Sequence, residues 1–161
     1  MINIIVAVDE NFAIGRENAL LVHIPEDLKY FKEKTLGQMV VMGRKTYESL
    51  PFKPLKGREN IVLSQSDVEF PGCKVCKTVE EVIAYYQKFQ EDRELFVSGG
   101  SSVYEAFLPL AKRLYITYIY RSFEADTFFL PLLCEWREIS REKHVSSKDS
   151  TLAFDFVVYE K

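Results

Sequence analysis

Hydrophobic and polar positions fall in blocks whose period changes along the chain. Short apolar runs bounded by turn signals read as buried strands: NIIVAV (3–8), MVVMG (39–43), NIVLS (60–64), KVCK (74–77) and ELFVS (94–98). RLYITYIY (113–120) alternates β-branched and aromatic residues, and two further strands are predicted around 136–142 and 151–160. Between them the pattern predicts helices over 25–35, 44–50, 79–89 and 101–109, and leaves 9–24 as a long, partly apolar loop. Alternating strands and helices imply βαβ units, hence an α/β fold with a mostly parallel twisted sheet flanked by helices. The consecutive strands at the C-terminus add an antiparallel edge. No repeat or linker divides the chain, so residues 1–161 are expected to form a single domain. In open sheets of this kind ligands bind at the carboxyl ends of the strands.

Composition narrows the function. The chain is 47% hydrophobic and 28% charged with a net charge of −3, an ordinary globular mix that offers no groove for nucleic acid. No apolar run reaches membrane-spanning length and no secretory pattern opens the chain, so a cytoplasmic location is expected. Three cysteines, an odd number, argue against a disulfide framework. Cys73 and Cys76 read C-x-x-C, but a closed zinc site needs four ligands, and Cys134, His23 and His144 are scattered. A strand-borne C-x-x-C also differs from the helix-opening redox motif, so packing is the expected role.

The stretch HIPEDLKYFKEKT (23–35) places two acids after a proline at a helix start. With about 100° per residue and Asp27 at zero, Phe31 falls near 40° and Leu28 near 100°. Ile24, extrapolated across Pro25, falls at about 60°. Asp27 thus borders the apolar stripe, whereas Glu26, at about −100°, falls with the solvated side. First-turn acids also serve the helix dipole, and Pro25 suits the first helical position. Asp27 is the one that can face a pocket.

Three strand ends look suited to phosphate. LFVSGGSSVYEAF runs a buried strand through two glycines into a helix, where free N–H groups bind anions. It is not the G-x-G-x-x-G fingerprint. VVMGRKTYESL puts Arg44 and Lys45 at a helix start, the wrong charge for that end of the dipole unless an anion binds there. NIVLSQS clusters Ser64, Gln65 and Ser66 just past a strand. Together these ends suggest one extended ligand with several phosphates, and Arg44 beside hydroxyls suits a 2′-phosphate, hence NADP rather than NAD.

The sequence resembles bacterial dihydrofolate reductases along essentially its whole length. The matching pieces are IIVAVDENFAIGRENAL, IPEDLKYFKEKT, VVMGRKTYESL, PLKGRENIVLS, FVSGGSSVYEAFLP, RLYITYI and ADTFF, in that order and spacing. The resemblance implies NADPH-dependent reduction of dihydrofolate, by hydride transfer to pterin C6 with protonation at N5. It also implies a role in one-carbon metabolism, susceptibility to antifolates, and a monomer.

It further implies a set of site residues. Asp27 would bond the pterin 2-amino group and N3, supported by Thr117 directly or through water. Ile5, Val6 and Ser98 would face the pterin, with Tyr104 and Leu20 nearby. Leu28, Phe31, Leu50 and Leu55 would pack on the pterin and aminobenzoyl rings. Arg58 would pair with the glutamate α-carboxylate, assisted by Lys32. For the cofactor, Ala7 and Ile14 would hold the carboxamide, while Gly15, Asn18 and Ala19 belong to the closing loop. Gly43, Arg44, Lys45 and Thr46, then Leu63, Ser64 and Gln65 with Lys77 adjacent, would surround the adenosine phosphates. Gly99, Gly100, Ser101, Ser102 and Val103 would cradle the pyrophosphate, with Tyr104 and Thr127 at the rim.

Three positions depart from the family pattern. Leu20-Leu21-Val22 stands where Leu/Met-Pro-Trp is usual, Ser98 replaces a branched aliphatic residue, and Ala125 replaces a glycine. The absent tryptophan normally walls the substrate and helps hold a water near the acid, which the Val22 side chain cannot do. Two other readings follow from these departures: a same-fold reductase of another heterocycle, as in the riboflavin pathway, and a non-catalytic dinucleotide-binding protein. Asp27 within IPEDL speaks against the first; Asp27, Phe31, Arg58 and Thr117 together speak against the second.

Overall fold

Buried side chains line both faces of the first strand, which is why it reads as a continuous apolar run rather than an alternating one. The computed structural model describes residues 1–17, 19–129 and 135–161. In chain order they form β1 (Ile2–Val8), β2 (Ala13–Gly15), α1 (Pro25–Thr35), β3 (Met39–Gly43), α2 (Arg44–Ser49), β4 (Glu59–Leu63) and β5 (Cys73–Cys76). There follow α3 (Val79–Gln87), β6 (Leu95–Val97), α4 (Ser101–Phe107), β7 (Arg113–Ile119), β8 (Thr127–Phe128), β9 (Arg137–Val145) and β10 (Ala153–Glu160). Eight strands make one sheet in the order β5-β4-β3-β6-β1-β7-β10-β9. Six neighbours from β5 to β7 run parallel, and β10 and β9 close the edge antiparallel. The expected architecture is therefore observed.

Each face of the sheet has its own core. Ile4, Val6 and Val8 point to the side where Val82 and Tyr86 of α3 and Val103 and Phe107 of α4 pack. Ile5, Val40, Met42 and Tyr115 point to the other, covered by Tyr47 of α2 and by Tyr30 and Phe31 of α1. A third cluster gathers Ile24, Ile119, Phe154 and Phe156, with Val22 and Ala7 against it. Val22, standing where the family usually has tryptophan, thus contributes apolar packing at the entrance to α1.

The predicted elements differ from the observed ones in a few places. The helix expected over 101–109 ends at Phe107 and tightens into a 3-10 turn, Leu108–Leu110, at Pro109, which has no N–H to continue the ladder. The loop 9–24 contains β2, which pairs with β8; neither is long enough to show a period. No helix among the described residues is long and apolar enough to cross a membrane.

Candidate active site

The carboxyl ends of β1, β3 and β6 open into a cleft of about 710 Å³. Glycine shapes its floor. The Gly43 N–H donates to the Gly99 carbonyl at 2.8 Å, and a Cβ on Gly43 would stand 3.2 Å from Val103. Gly99 has φ of +115°, a backbone region that side chains rarely adopt, with the Tyr104 ring 3.3 Å from where a Cβ would project. Both short helices that start here, α2 from Gly43 and α4 from Gly100, lack a side-chain cap on their first turn. Their leading amide donors are left without helix partners, as at any helix start. Arg44, Lys45 and Thr46 on α2, and Ser101, Ser102 and Val103 on α4, line the cleft beside them.

The opposite wall is the 9–24 segment. Ile14, Gly15, Ala19 and Leu20 line it, joined by Thr127 from β8. Asp126 ties the two segments together: its carboxylate accepts the Glu17 N–H at 2.9 Å and its own N–H donates to Gly15 O at 3.1 Å. Those bonds form with Ala125 in place of the family's glycine. Val6, Ala7, Ser98 and Leu63 complete the lining.

Asp27 sits in the first turn of α1, half-buried, and the Thr117 hydroxyl from β7 donates to its carboxylate at 2.6 Å. Burial raises the Asp27 pKa above its ordinary value, and the Thr117 hydrogen bond opposes that rise. Leu28, the next residue, is 42% exposed, so the apolar stripe of the helix is covered only in part by protein. Phe31 carries the stripe on, with the Arg58 guanidinium 6.0 Å from its ring centre. Arg58 is held from two sides: Nη1 donates to Thr35 Oγ1 at 3.2 Å and Nε to the Lys56 carbonyl at 2.9 Å. Leu50 and Leu55 pack against the same core as Phe31, while Lys32 is exposed on the helix.

Glu26 departs from the expectation, and several other residues have unforeseen partners. Glu26 does not point freely into solvent: its carboxylate accepts the Ser147 N–H at 2.7 Å, because the turn between β9 and β10 folds over the start of α1. Arg44 Nε donates to Glu48 at 2.6 Å, one turn along α2. Lys77 pairs with Asp67 at 2.8 Å and lies outside the cleft lining, as do Ser64 and Gln65; the Ser64 hydroxyl instead accepts the Ser66 N–H. The Ile5 carbonyl already accepts the buried Tyr104 hydroxyl at 2.9 Å. Asn18 and Cys134 lie outside the described residues. Ser49 lines the cleft unforeseen, although its place three residues after Thr46 puts both on one face of α2.

A glycine-floored cleft at parallel strand ends, next to one desolvated carboxylate, defines a ligand-binding α/β protein of the reductase kind. A family model described as dihydrofolate reductase matches residues 1–161. Dihydrofolate reductase of Bacillus subtilis (strain 168) is 40% identical, over 100% of this chain and 95% of its own. That of Neisseria gonorrhoeae is 45% identical, over 98% of this chain and 96% of its own. Among solved structures, dihydrofolate reductase from Enterococcus faecalis complexed with NADP(H) and RAB-propyl superposes with a TM-score of 0.92 at 36% identity, covering 99% of this chain and 95% of that one. The chain belongs to the dihydrofolate reductase family.

Proposed function

We propose that the protein reduces 7,8-dihydrofolate to 5,6,7,8-tetrahydrofolate with NADPH, supporting one-carbon metabolism. The observation that carries this reading is the desolvated Asp27, braced by Thr117, beside a glycine-floored cleft in a chain of this family. The residues present suit the cofactor: two uncapped helix starts offer amide donors at the cleft, and Arg44 and Lys45 supply positive charge. When bound, NADPH supplies the hydride taken up at pterin C6.

The rest is the work of the chain. Gly99 to Val103 and Gly43 to Thr46 would hold the phosphates, with Ser64, Gln65 and Lys77 toward the adenosine end. Ala7, Ile14 and Tyr104 would fix the nicotinamide end, with Gly15, Ala19 and Thr127 on the adjoining wall and Val6 toward the pterin. Asp27 accepts from the pterin 2-amino group and N3, which sets the ring's orientation. Ile5, Leu20 and Ser98 flank the pterin; Leu28, Phe31, Leu50 and Leu55 cover the remaining rings. Arg58, with Lys32, takes the glutamate carboxylate. No side chain of this set stands ready to protonate N5, so a water admitted past the 9–24 segment delivers that proton. The negative charge of Asp27 favours the protonated substrate.

The same Asp27 site would accept antifolates that present a ring N–H beside an amino group. The net charge of −3 offers no footprint for a nucleic-acid partner, and the family resemblance suggests a single-domain monomer in the cytoplasm. The test is nicotinamide absorbance with NADPH and dihydrofolate. Loss of absorbance that needs enzyme and both substrates supports the reading; binding without turnover overturns it in favour of a non-catalytic protein.

A further inference from the structure

Two wall segments of the cleft, 9–24 and 121–128, meet at their roots on one carboxylate. Asp9 follows directly on β1 and is 2% exposed. Its Oδ1 accepts the N–H of Asn11 at 2.7 Å and of Ala13 at 2.9 Å, and its Oδ2 accepts the N–H of Phe123 at 2.9 Å. Three backbone donors from two separate segments thus converge on a buried acid, whose charge strengthens each bond. A carboxylate suits this arrangement because both its oxygens accept; an asparagine would keep one oxygen for Asn11 and Ala13 and turn its NH2 toward the Phe123 N–H.

The bonds reinforce a turn that backbone bonds also hold: the Asp9 N–H donates to the Ala13 carbonyl at 3.1 Å and the Glu10 N–H to the Arg121 carbonyl at 3.3 Å. The turn they close carries Phe12 at a φ of +61°, uncommon for a bulky residue, with its N–H bonded to the Asp9 carbonyl. The Phe12 carbonyl then accepts from Phe129, and β2 pairs with β8 just beyond. Ile14, Gly15 and Thr127, all in the cleft lining, lie on that short pair.

We infer that Asp9 is a positioning residue for the nucleotide half of the cleft. Its charge ties the roots of segments 9–24 and 121–128, as Asp126 ties them further along, and so helps set where Ile14, Gly15 and Thr127 stand. The inference rests on the reading that this cleft takes NADPH. It reaches neither Asp27 nor Arg58, which are held by Thr117 and Thr35 on other elements.

The test is Asp9→Asn, with NADPH affinity measured by fluorescence, KM for dihydrofolate by turnover, and amide hydrogen exchange residue by residue. The NADPH Kd should rise about tenfold, as for loss of a charge-assisted hydrogen bond, while KM for dihydrofolate stays within about twofold. The Phe123 amide should exchange much faster, those of Asn11 and Ala13 less so, and those of β1 at the wild-type rate. An unchanged NADPH Kd in the folded variant, or equal weakening of both ligands, would overturn the inference. Failure of the wild-type protein to bind NADPH would instead refute the functional reading. If Asp9→Asn does not fold, Phe123→Pro, which deletes one donor together with the Phe123 ring, should raise the NADPH Kd while KM for dihydrofolate stays within about twofold and the amides of Asn11 and Ala13 keep the wild-type exchange rate; an unchanged NADPH Kd overturns the inference.

Discussion

The Thr117 hydroxyl and the Asp27 carboxylate meet at 2.6 Å across ninety residues of chain, joining β7 to the first turn of α1. Burial pushes the acid's pKa up, and this bond pulls it down. Thr117→Val removes the bond and keeps the shape. Losing a hydrogen bond to the charged form disfavours the anion, so the Asp27 pKa should rise further. An NMR titration of the free protein reads this directly; a fall, or no change, would show that Thr117 does not stabilise the anion.

The same burial has a thermodynamic sign. Because the folded-state pKa of Asp27 lies above its unfolded value, the native state binds the extra proton between the two. Stability is therefore lost as pH rises through that window, and the ionised acid remains a cost above it. Asp27→Asn, which can still accept from Thr117, should raise Tm at neutral pH, with the gain shrinking as pH falls below the unfolded pKa. Thermal melts at neutral and acidic pH, without ligand, check both halves. A lower Tm at neutral pH would mean that the acid supports the fold.

Arg44 has to choose between Glu48 and a phosphate. The ion pair is about half exposed on both sides and contributes little, at most about 1 kcal/mol. Arg44→Ala should weaken NADPH by about 1.5–3 kcal/mol and NADH much less. Glu48→Gln should do the opposite and tighten NADPH by a few-fold without affecting NADH. Parallel changes for the two cofactors would show that Arg44 does not read the 2′-phosphate.

Arg58 depends on a residue that touches no ligand. Thr35 is fully buried; it donates to the Phe31 carbonyl and accepts from Arg58. Thr35→Val should raise KM for dihydrofolate by roughly two- to tenfold, as for loss of one ordinary hydrogen bond, and leave NADPH binding alone. Arg58→Leu should do more, and substrates lacking the glutamate should lose little further on it, since the tail is remote from the reacting carbon. Undiminished discrimination of the tail in Arg58→Leu would remove that arginine from the site.

Elements that carry their own signal were legible before the structure. Pro25 at the first helical position and the apolar run of β1 mark boundaries that agree with the observed ones to within a residue. Asp27 stood out by its angle on the helix, yet its partner Thr117 came only from the family resemblance, since no local pattern links residues so far apart. The wheel misjudged Glu26 for a related reason: it describes one helix, and Ser147 arrives from the turn between β9 and β10. The β2–β8 pair was illegible because two or three residues cannot display a period. Arg44–Glu48 is the contrary case, an i,i+4 pair visible in the sequence whose ionic bond partly offsets the unfavourable charge at the start of α2.

The account turns on which carboxylate of α1 serves the reaction, and the pH profile of turnover tests it most directly. Asp27→Asn, with NADPH and dihydrofolate saturating, should lose roughly a hundredfold or more at neutral pH. It should recover part of that as pH falls and solution protonates more of the substrate. Glu26→Gln, whose retained oxygen can still accept from Ser147, should follow the wild-type profile. An Asp27→Asn enzyme turning over at the wild-type rate at neutral pH, or a Glu26→Gln enzyme that is the inactive one, would contradict the account.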